Sequence, residues 1–436
     1  MMKRILLIGV ALFLSYGQPS WAENKNSIIR PGHLFKVSTY VNTLTITSVK
    51  PDWTFPMAGI KVLTPGYTVA NANPTDKGYY LFSVSDTAPT NLTLVGMPGQ
   101  VNIKLCLSGL GSGYSCELLT ITLTKQRYAY VATGFNNTVY QCLVNHDGTL
   151  SNCNPSPFSG VPGWIPESIT FATVSGTQYA YVASWSNGTV YQCTLNSGSS
   201  LDICNPLTPT GTVYTYAAGI SFATINGIQY AYVSDDTANV YQCSLNNDGS
   251  FNICNPTPTS GTLSWTPVST TFVTISGVQY AYVASDDGNV YQCTLNVDGL
   301  QNGTFNRCTM ITPAFLTPSW LPKSIAFATF GGNQYAYVAD DNGNVFQCTL
   351  NSEGTFNQCT ITPTALGSFL WNPRSITFKT FNGAQYAYVA DFGTAISLFG
   401  NIYQCTLNAQ GNFTSCVTTP AFGAPNWGNL WWVAFN

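Results

Sequence analysis

Hydrophobic and polar residues alternate in a short pattern that recurs six times along the chain. In its clearest copy, residues 334–351, Tyr335 and Tyr337 alternate with alanine and valine, so apolar side chains point to both faces of a predicted strand. An Asp-Asn-Gly turn at 341–343 predicts a hairpin to a second strand. The Tyr-Ala-Tyr-Val motif begins at Tyr128, Tyr179, Tyr230, Tyr280, Tyr335 and Tyr386.

Each copy of the motif belongs to a repeat that contains four predicted strands. In the fifth repeat these strands are residues 324–329, 334–339, 344–350 and 355–361. A period of 50 to 55 residues that is built from short strands is typical of a β-propeller, in which each repeat is a four-stranded blade. The sequence therefore predicts a six-bladed β-propeller over residues 125–436.

The two ends of the repeat region predict how the ring closes. The segment Leu430–Phe435 resembles the first strand of a repeat but has no further strands after it, whereas the repeat at Tyr128 has no convincing first strand. We therefore expect the C-terminal strand to complete the first blade. The alternative first strand is residues 118–124, although its apolar positions are out of phase with those of the other repeats.

The region before the repeats, residues 23–124, has a different strand pattern. Short β-rich runs separated by Gly, Pro and Asn clusters predict an immunoglobulin-like β-sandwich. The predicted strands are residues 35–41, 44–47, 79–84, 92–95, 101–106 and 118–123. The protein is thus predicted to be all-β, with a sandwich followed by a propeller.

The fourteen cysteines fall into seven close pairs, of which six occupy the same place in a repeat. Local disulfides made in an oxidising compartment explain this arrangement. Zinc binding is the alternative, but the pairs lack histidine partners and C-x2-C spacing. If Cys348 opposes Cys359 in a hairpin, then Asn351 opposes Phe356, and the disulfide holds the outermost strand. The pairs are Cys106/Cys116, Cys142/Cys153, Cys193/Cys204, Cys243/Cys254, Cys293/Cys308, Cys348/Cys359 and Cys405/Cys416.

Residues 1–22 have the pattern of a signal peptide: two basic residues, an apolar run from Ile5 to Leu14, and a Ser20-Trp21-Ala22 cleavage site. We therefore expect a secreted or periplasmic protein that begins at Glu23 and has no membrane span. Without this segment the chain has 13 basic and 18 acidic residues, a net charge of −5. That balance argues against nucleic-acid binding.

The Tyr-Val-Ala-Asp, Gly-Asn-Val-Tyr and Pro-x-Ser-Ile-x-Phe segments resemble those of bacterial propellers of the NHL, YVTN and lactonase-like families. The resemblance covers residues 125–436 and implies the propeller fold. It does not imply one activity, because these families include binding proteins, scaffolds and hydrolases. The cysteine pair in every repeat departs from the usual family pattern.

Candidate binding residues lie on the rim that carries the long loops between repeats, since loops on one face of a rigid ring commonly bind partners. The position that opens each inner strand borders the channel mouth and differs strongly between repeats. Either these six residues form an asymmetric ligand site, or the position is exposed to solvent and accepts different residue types. These residues are Glu167, Ala218, Val268, Lys323, Arg374 and Leu430.

A tryptophan precedes five of the inner strands. These aromatic side chains could stack on sugar rings beside carboxylates and amides, or they could pack between neighbouring blades. The residues are Trp164, Trp265, Trp320, Trp371 and Trp427.

No catalytic or metal-binding motif stands out in the sequence. The Asp-rich turns resemble calcium loops only faintly, and a tight hairpin requires Asp, Asn and Gly anyway. The two histidines, His33 and His146, lie in different predicted domains. A lactonase-type site needs several carboxylates or amides around a metal, and the inner positions do not provide that set.

The sequence therefore predicts, first, an exported non-catalytic binding protein that recognises a protein or carbohydrate on the long-loop rim and needs no cofactor. A periplasmic lactonase-type hydrolase, with Glu167, Lys323 and Arg374 around the channel, is the second hypothesis. A structural envelope component is the third. Neither the ligand nor the oligomeric state follows from the sequence.

Overall fold

A computed structural model describes most of the chain and divides it into two compact units, residues 1–126 and 127–436. The predicted signal peptide lies outside the described residues. Those are residues 35–40, 43–48, 55–70, 73–84, 90–95, 99–107, 115–123, 126–134, 136–156, 163–210, 214–237, 239–258, 264–299, 302–313, 320–362, 371–393, 400–420 and 427–436.

The first unit contains eight strands in two four-stranded sheets. Their orders are β1-β2-β6-β4 and β5-β3-β7-β8. The strands are β1 (Phe35–Tyr40), β2 (Thr43–Ser48), β3 (Phe55–Val62), β4 (Thr68–Val69), β5 (Tyr80–Val84), β6 (Thr90–Val95), β7 (Gly99–Leu107) and β8 (Ser115–Leu123).

Both sheets of the first unit contribute to one hydrophobic core. Leu44 and Leu94 come from one sheet, and Ile60 and Ile103 from the other. Six of the eight strands match the predicted ones. The immunoglobulin-like assignment of this unit stays a prediction.

The second unit contains only strands among its described regular elements. They are β9 (Tyr128–Thr133), β10 (Thr138–Val144), β11 (Leu150–Pro155), β12 (Pro166–Val174), β13 (Thr177–Ser184), β14 (Thr189–Leu195), β15 (Leu201–Pro206), β16 (Ala217–Ile225), β17 (Ile228–Asp235), β18 (Asn239–Leu245), β19 (Phe251–Thr257), β20 (Pro267–Ile275), β21 (Val278–Ser285), β22 (Asn289–Leu295), β23 (Phe305–Met310), β24 (Pro322–Phe330), β25 (Asn333–Asp340), β26 (Asn344–Leu350), β27 (Phe356–Ile361), β28 (Pro373–Phe381), β29 (Ala384–Asp391), β30 (Asn401–Leu407), β31 (Phe413–Thr418) and β32 (Leu430–Phe435).

These strands form repeated four-stranded antiparallel sheets, as in a β-propeller. The first sheet has the order β11-β10-β9-β32, so the C-terminal strand pairs with the first repeat as predicted. In each of the five other sheets, the four strands are arranged in the order in which they occur along the chain, from β12-β13-β14-β15 to β28-β29-β30-β31. The inner strands contact one another in the order β12, β16, β20, β24, β28, and β32 contacts both β28 and β12. The sheets therefore succeed one another in a closed cycle.

The Tyr-Ala-Tyr-Val strand is buried on both faces because it lies between neighbouring sheets. In β25, Ala336, Tyr337 and Val338 have no exposed surface. The hydroxyl of Tyr337 donates to the carbonyl of Gly411 in the next sheet at 2.8 Å, and the amide of Gln347 donates to the Tyr337 hydroxyl at 3.0 Å. We call this arrangement the tyrosine clasp.

The tyrosine clasp recurs around the ring. Corresponding bonds join Tyr181 to Gly249, Tyr232 to Gly303, Tyr282 to Gly354 and Tyr388 to Gly148 at 2.6–2.8 Å. The Tyr388–Gly148 bond joins the sixth sheet to the first. The clasp therefore links the end of the chain's repeat region to its beginning.

Each sheet of the second unit contains one disulfide, between its third and outermost strands. All six predicted pairings in this unit are confirmed, and such bonds are typical of oxidising compartments. The bonds join Cys142 to Cys153, Cys193 to Cys204, Cys243 to Cys254, Cys293 to Cys308, Cys348 to Cys359 and Cys405 to Cys416. In the first unit, Cys106 faces Cys116 across β7 and β8.

The register around one disulfide departs from the prediction. Cys348 and Cys359 lie opposite each other in the β26–β27 ladder, as expected. The expected pairing of Asn351 with Phe356 is wrong, because a bulge after Thr349 pairs Leu350 with Phe356 instead.

Candidate functional site

A β-bulge at the start of each inner strand determines which residue reaches the channel mouth. In the second sheet, Pro166 pairs with Ser184 and Ser168 pairs with Ala183, so Glu167 between them has no partner. The same shift occurs at Lys323 and Arg374. A bulged residue leaves the ladder, and its side chain is redirected.

The register corrects one of the predicted mouth residues. Leu430 pairs with Thr133 and Trp432 pairs with Ala132, so the bulged residue of the first sheet is Trp431. Leu430 is instead fully buried in the core. The prediction was wrong here because it aligned the C-terminal strand with the other inner strands one residue too early.

In five of the six sheets, the last residue of the second strand is an aspartate or a serine whose side chain accepts a hydrogen bond from the backbone that leads into the bulge. Asp340 accepts a hydrogen bond from the backbone N–H of Leu321 at 2.6 Å, and Asp391 accepts one from Asn372 at 2.6 Å. Burial raises the pKa of both carboxyls. These two aspartates therefore have a structural role, because their carboxylates fix the segment that precedes the inner strand.

In three sheets the residue that follows this position is an aspartate, and two of these aspartates, Asp286 and Asp341, form ion pairs. Lys323 forms a salt bridge with Asp286 and lies 3.9 Å from the carboxylate of Asp341. Arg374 Nη2 lies 3.0 Å from Asp341 Oδ2. We call these residues, together with Glu167 and Asp236, the mouth cluster.

Glu167 lies among both signs of charge. Burial, followed by the neighbouring charge of Asp236, raises its pKa to about 8, although Arg374 and Lys323 act in the opposite direction and Asp286 adds to the rise. Arg374 and Lys323 belong to sheets that do not adjoin the sheet of Glu167, so these residues meet across the centre of the ring.

The mouth cluster leaves three buried polar atoms without hydrogen-bond partners among the described residues. They are Glu167 Oε2, Asp341 Oδ1 and Arg374 Nε. An unpaired buried polar group is costly, so a hydrogen bond to any of these three atoms would stabilise the cluster. At neutral pH Glu167 holds a proton and can donate it in a hydrogen bond.

Two aromatic groups flank the mouth cluster. The Arg374 guanidinium lies 4.4 Å from the ring centre of Phe392 and 4.9 Å from that of Trp431. The second aromatic group is the pair Trp185 and Tyr216, whose rings stack with centres 5.5 Å apart and 26° between the ring planes. Trp185 is 41% exposed and Tyr216 38%, and the Trp185 indole donates to Asp236.

The Trp185–Tyr216 pair was missed in the sequence. Trp185 occupies the position at which three other repeats have Asp236, Asp286 and Asp341. Phe392 is the aromatic residue at this position in the sixth repeat, so an aromatic residue replaces the aspartate in two repeats, and that replacement was the available signal.

The five predicted rim tryptophans lie in the core, each at most 5% exposed. Trp164, for example, meets Tyr191 edge-on at 5.7 Å and donates its indole N–H to the carbonyl of Asn137 in the neighbouring sheet. This placement favours packing between sheets over stacking on a sugar. Trp265, Trp320, Trp371 and Trp427 make corresponding edge-on contacts with Tyr291, Phe346, Tyr403 and Tyr140.

The cysteines are structural residues of the sheets and take no part in the mouth cluster. Their sulfurs are bonded in pairs, and none of the described cysteines is a free thiol. The zinc alternative is therefore wrong for the six bonded pairs, because a zinc ligand must be a thiolate. The outermost-strand members of these pairs are Cys153, Cys204, Cys254, Cys308, Cys359 and Cys416.

The remaining candidate residues add no metal or membrane site. His33 lies outside the described residues, and His146 contacts Asn382 at 2.8 Å in a turn between β10 and β11. Within the described ranges, no three His, Cys, Asp or Glu side chains converge as metal ligands. The described part of the chain also contains no helix with the length and hydropathy to cross a membrane.

Comparison with known proteins identifies distant structural neighbours only. No protein-family model matches the chain, and no curated protein matches it. A periplasmic gluconolactonase from Pseudomonas aeruginosa is 12% identical with a TM-score of 0.41, over 87% of this chain and 99% of that one. A protein from Lactobacillus plantarum is 14% identical with a TM-score of 0.44, over 87% and 99%.

An α-L-arabinofuranosidase from Lactobacillus brevis is 11% identical with a TM-score of 0.37, over 61% of this chain and 95% of that one. At these identities and TM-scores, the neighbours assign neither an activity nor a ligand to this chain.

Proposed function

We propose that this protein is an exported, non-catalytic saccharide-binding protein: a six-bladed β-propeller, preceded by an immunoglobulin-like sandwich, with its site at the channel mouth. The stacked, exposed pair of Trp185 and Tyr216 beside the carboxylate of Asp236 carries the proposal. The six disulfides support an oxidising compartment.

The chemistry of the mouth suits a sugar. The C–H face of a pyranose ring packs on a flat aromatic surface, while its hydroxyls bond to carboxylates and guanidinium groups. Trp185 and Tyr216 provide the surface, and the unpartnered atoms of Glu167 and Arg374 provide bonding groups. Because Lys323 and Arg374 already have aspartate partners, they are held in place before a ligand arrives.

Binding to a glycan array, followed by calorimetry on each binder, tests this function. Removing the ring in Trp185→Ala should weaken binding about tenfold or more, since an aromatic contact and its buried area are lost. Ile228→Ala removes a similarly exposed apolar side chain at the start of β17 and should leave affinity unchanged. Equal affinity of both variants and the wild type would refute a site at this pair.

A hydrolase of the lactonase type is the second candidate, and the raised pKa of Glu167 favours it. A carboxylic acid that stays protonated near neutral pH can donate a proton to a leaving alkoxide. This candidate predicts turnover of lactones or esters that Glu167→Gln abolishes. Binding without turnover excludes it, and a protein with neither property fits the third hypothesis, a structural envelope component.

A further inference from the structure

The charges around the mouth are not balanced. Among the described residues, Asp236, Asp286 and Asp341 face two cations, Lys323 and Arg374, so one carboxylate is in excess even while Glu167 is protonated. Both cations are bound to Asp286 and Asp341. The excess carboxylate is therefore Asp236, which lies beside Glu167 and accepts the Trp185 indole N–H.

The surroundings of Asp236 offer no cation of their own to neutralise it fully. Burial and the charge of Asp286 raise its pKa, the charge of Asp235 adds to the rise, and Lys323 lowers it. The mouth residues of its own sheet and of the following sheet, Ala218 and Val268, have no polar side-chain atoms, and the mouth residue of the preceding sheet is Glu167. A positive charge on a ligand would meet Asp236 and Glu167 together.

We infer that the site selects a saccharide bearing a protonated amino group, whose ring packs on Trp185 and Tyr216 and whose ammonium bonds to Glu167 and Asp236. This inference rests on the proposed saccharide-binding function. Aromatic faces attract an ammonium-bearing ring through their quadrupoles, and charge-assisted hydrogen bonds to carboxylates are the stronger kind. Lys323 beside the carboxylates disfavours a divalent metal ion, which would bring a second concentrated charge next to it.

Binding is coupled to a proton. The ammonium keeps its protons and donates to the carboxylate of Glu167, and the proton that Glu167 held in the free protein passes to the buffer. The groups that face Glu167 and set this exchange are Asp236, Arg374, Lys323 and Asp286. A neutral saccharide has no charge to replace that proton, so it releases none.

The test compares a β-1,4-linked glucosamine tetramer with its N-acetylated counterpart, because acetylation removes the charge on nitrogen and leaves the sugar backbone the same. Calorimetry at pH 6.5 in two buffers of different ionisation enthalpy reports affinity and protons released. We expect the wild type to bind the amino tetramer about tenfold more tightly, with release of nearly one proton.

Glu167→Gln should abolish both the preference and the proton release while still binding the N-acetylated tetramer. Asp236→Asn should reduce the preference and serves as a second variant if the first is poorly folded. Asp202→Asn, which removes an exposed carboxylate on β15, should behave as the wild type. Trp185→Ala should weaken both tetramers.

Equal affinity for the two tetramers without proton release would overturn the amine selectivity and leave the saccharide site standing. Failure of the wild type to bind either tetramer or any array glycan would overturn the proposed function as well. Glu167-dependent proton release with calcium alone, or with a lysine-rich peptide alone, would also overturn the inference, because the site would then take a metal or a protein.

Discussion

Substituting Gly411 by alanine should destabilise the second unit far more than an alanine at a comparable glycine. Gly411 has φ +79°, and a Cβ there would lie 2.2 Å from the Tyr337 hydroxyl oxygen and 2.5 Å from Phe330 Cδ2. That hydroxyl is buried and donates to the Gly411 carbonyl at 2.8 Å. The substitution therefore has to displace the tyrosine clasp.

Two costs combine in this variant. An alanine in the left-handed region costs about 1 kcal/mol, and a buried hydroxyl that loses its acceptor costs about 1–3 kcal/mol. We expect a loss of about 3 kcal/mol in the free energy of unfolding. Gly227→Ala is the matched control, because Gly227 has the same φ of +79° and its Cβ would meet no described atom within 4 Å. That variant should lose only about 1 kcal/mol.

Urea denaturation measures both losses as shifts in the midpoint at unchanged slope. Tyr337→Phe removes the hydroxyl, so Gly411→Ala should cost less in that background than in the wild type, a coupling that a double-mutant cycle measures. Equal losses for the two glycine variants, or no coupling to Tyr337, would refute the view that the clasp constrains this glycine.

Three further perturbations have defined outcomes. Replacing Cys348 and Cys359 together by serine opens a loop of about a dozen residues and should cost about 2–3 kcal/mol in urea denaturation, with the variant insensitive to reductant at this site. Because folding raises the pKa of Glu167 from 4.5 to about 8, the folded protein retains a proton that the unfolded chain releases, and stability falls as the pH rises through this window. Glu167→Gln should remove that part of the fall and gain about 2 kcal/mol in the free energy of unfolding at pH 8. Identical pH profiles of stability for the variant and the wild type would contradict the raised pKa. Arg374→Met removes the nearer of two cationic partners of Asp341, leaving Lys323 at 3.9 Å, and should lose about 2 kcal/mol. Arg307→Met at an exposed position should stay within about 0.5 kcal/mol, and similar losses would show that the ion pair contributes little.

Periodicity made the second unit predictable from sequence. Strands that recur with the same turn residues can be delimited by comparing the repeats. The repeat spacing after Cys416 identified Leu430–Phe435 as an inner strand, and the structure pairs it with the first repeat. The strands β3 and β4 of the first unit were missed. Pro56 and Gly59 interrupt the β pattern of β3, and β4 is only two residues long.

The mouth was less predictable, because its chemistry depends on residues that differ between repeats. Sequence reasoning singled out Glu167, Lys323 and Arg374, which the structure brings together. It could not distinguish a tryptophan at the rim from one between sheets, since the spacing is the same in both cases. Trp185 was missed because it departs from the pattern that the repeats share.

The pairing of β32 with β9 has a consequence for biosynthesis. Each described disulfide joins residues 11 or 15 positions apart, so every cysteine has its partner available as soon as its own hairpin has emerged. The first sheet, in contrast, waits for its innermost strand until residues 430–435 are made. Oxidation is thus a local event that can be completed repeat by repeat, whereas the first sheet is complete only after residues 430–435 have been synthesised.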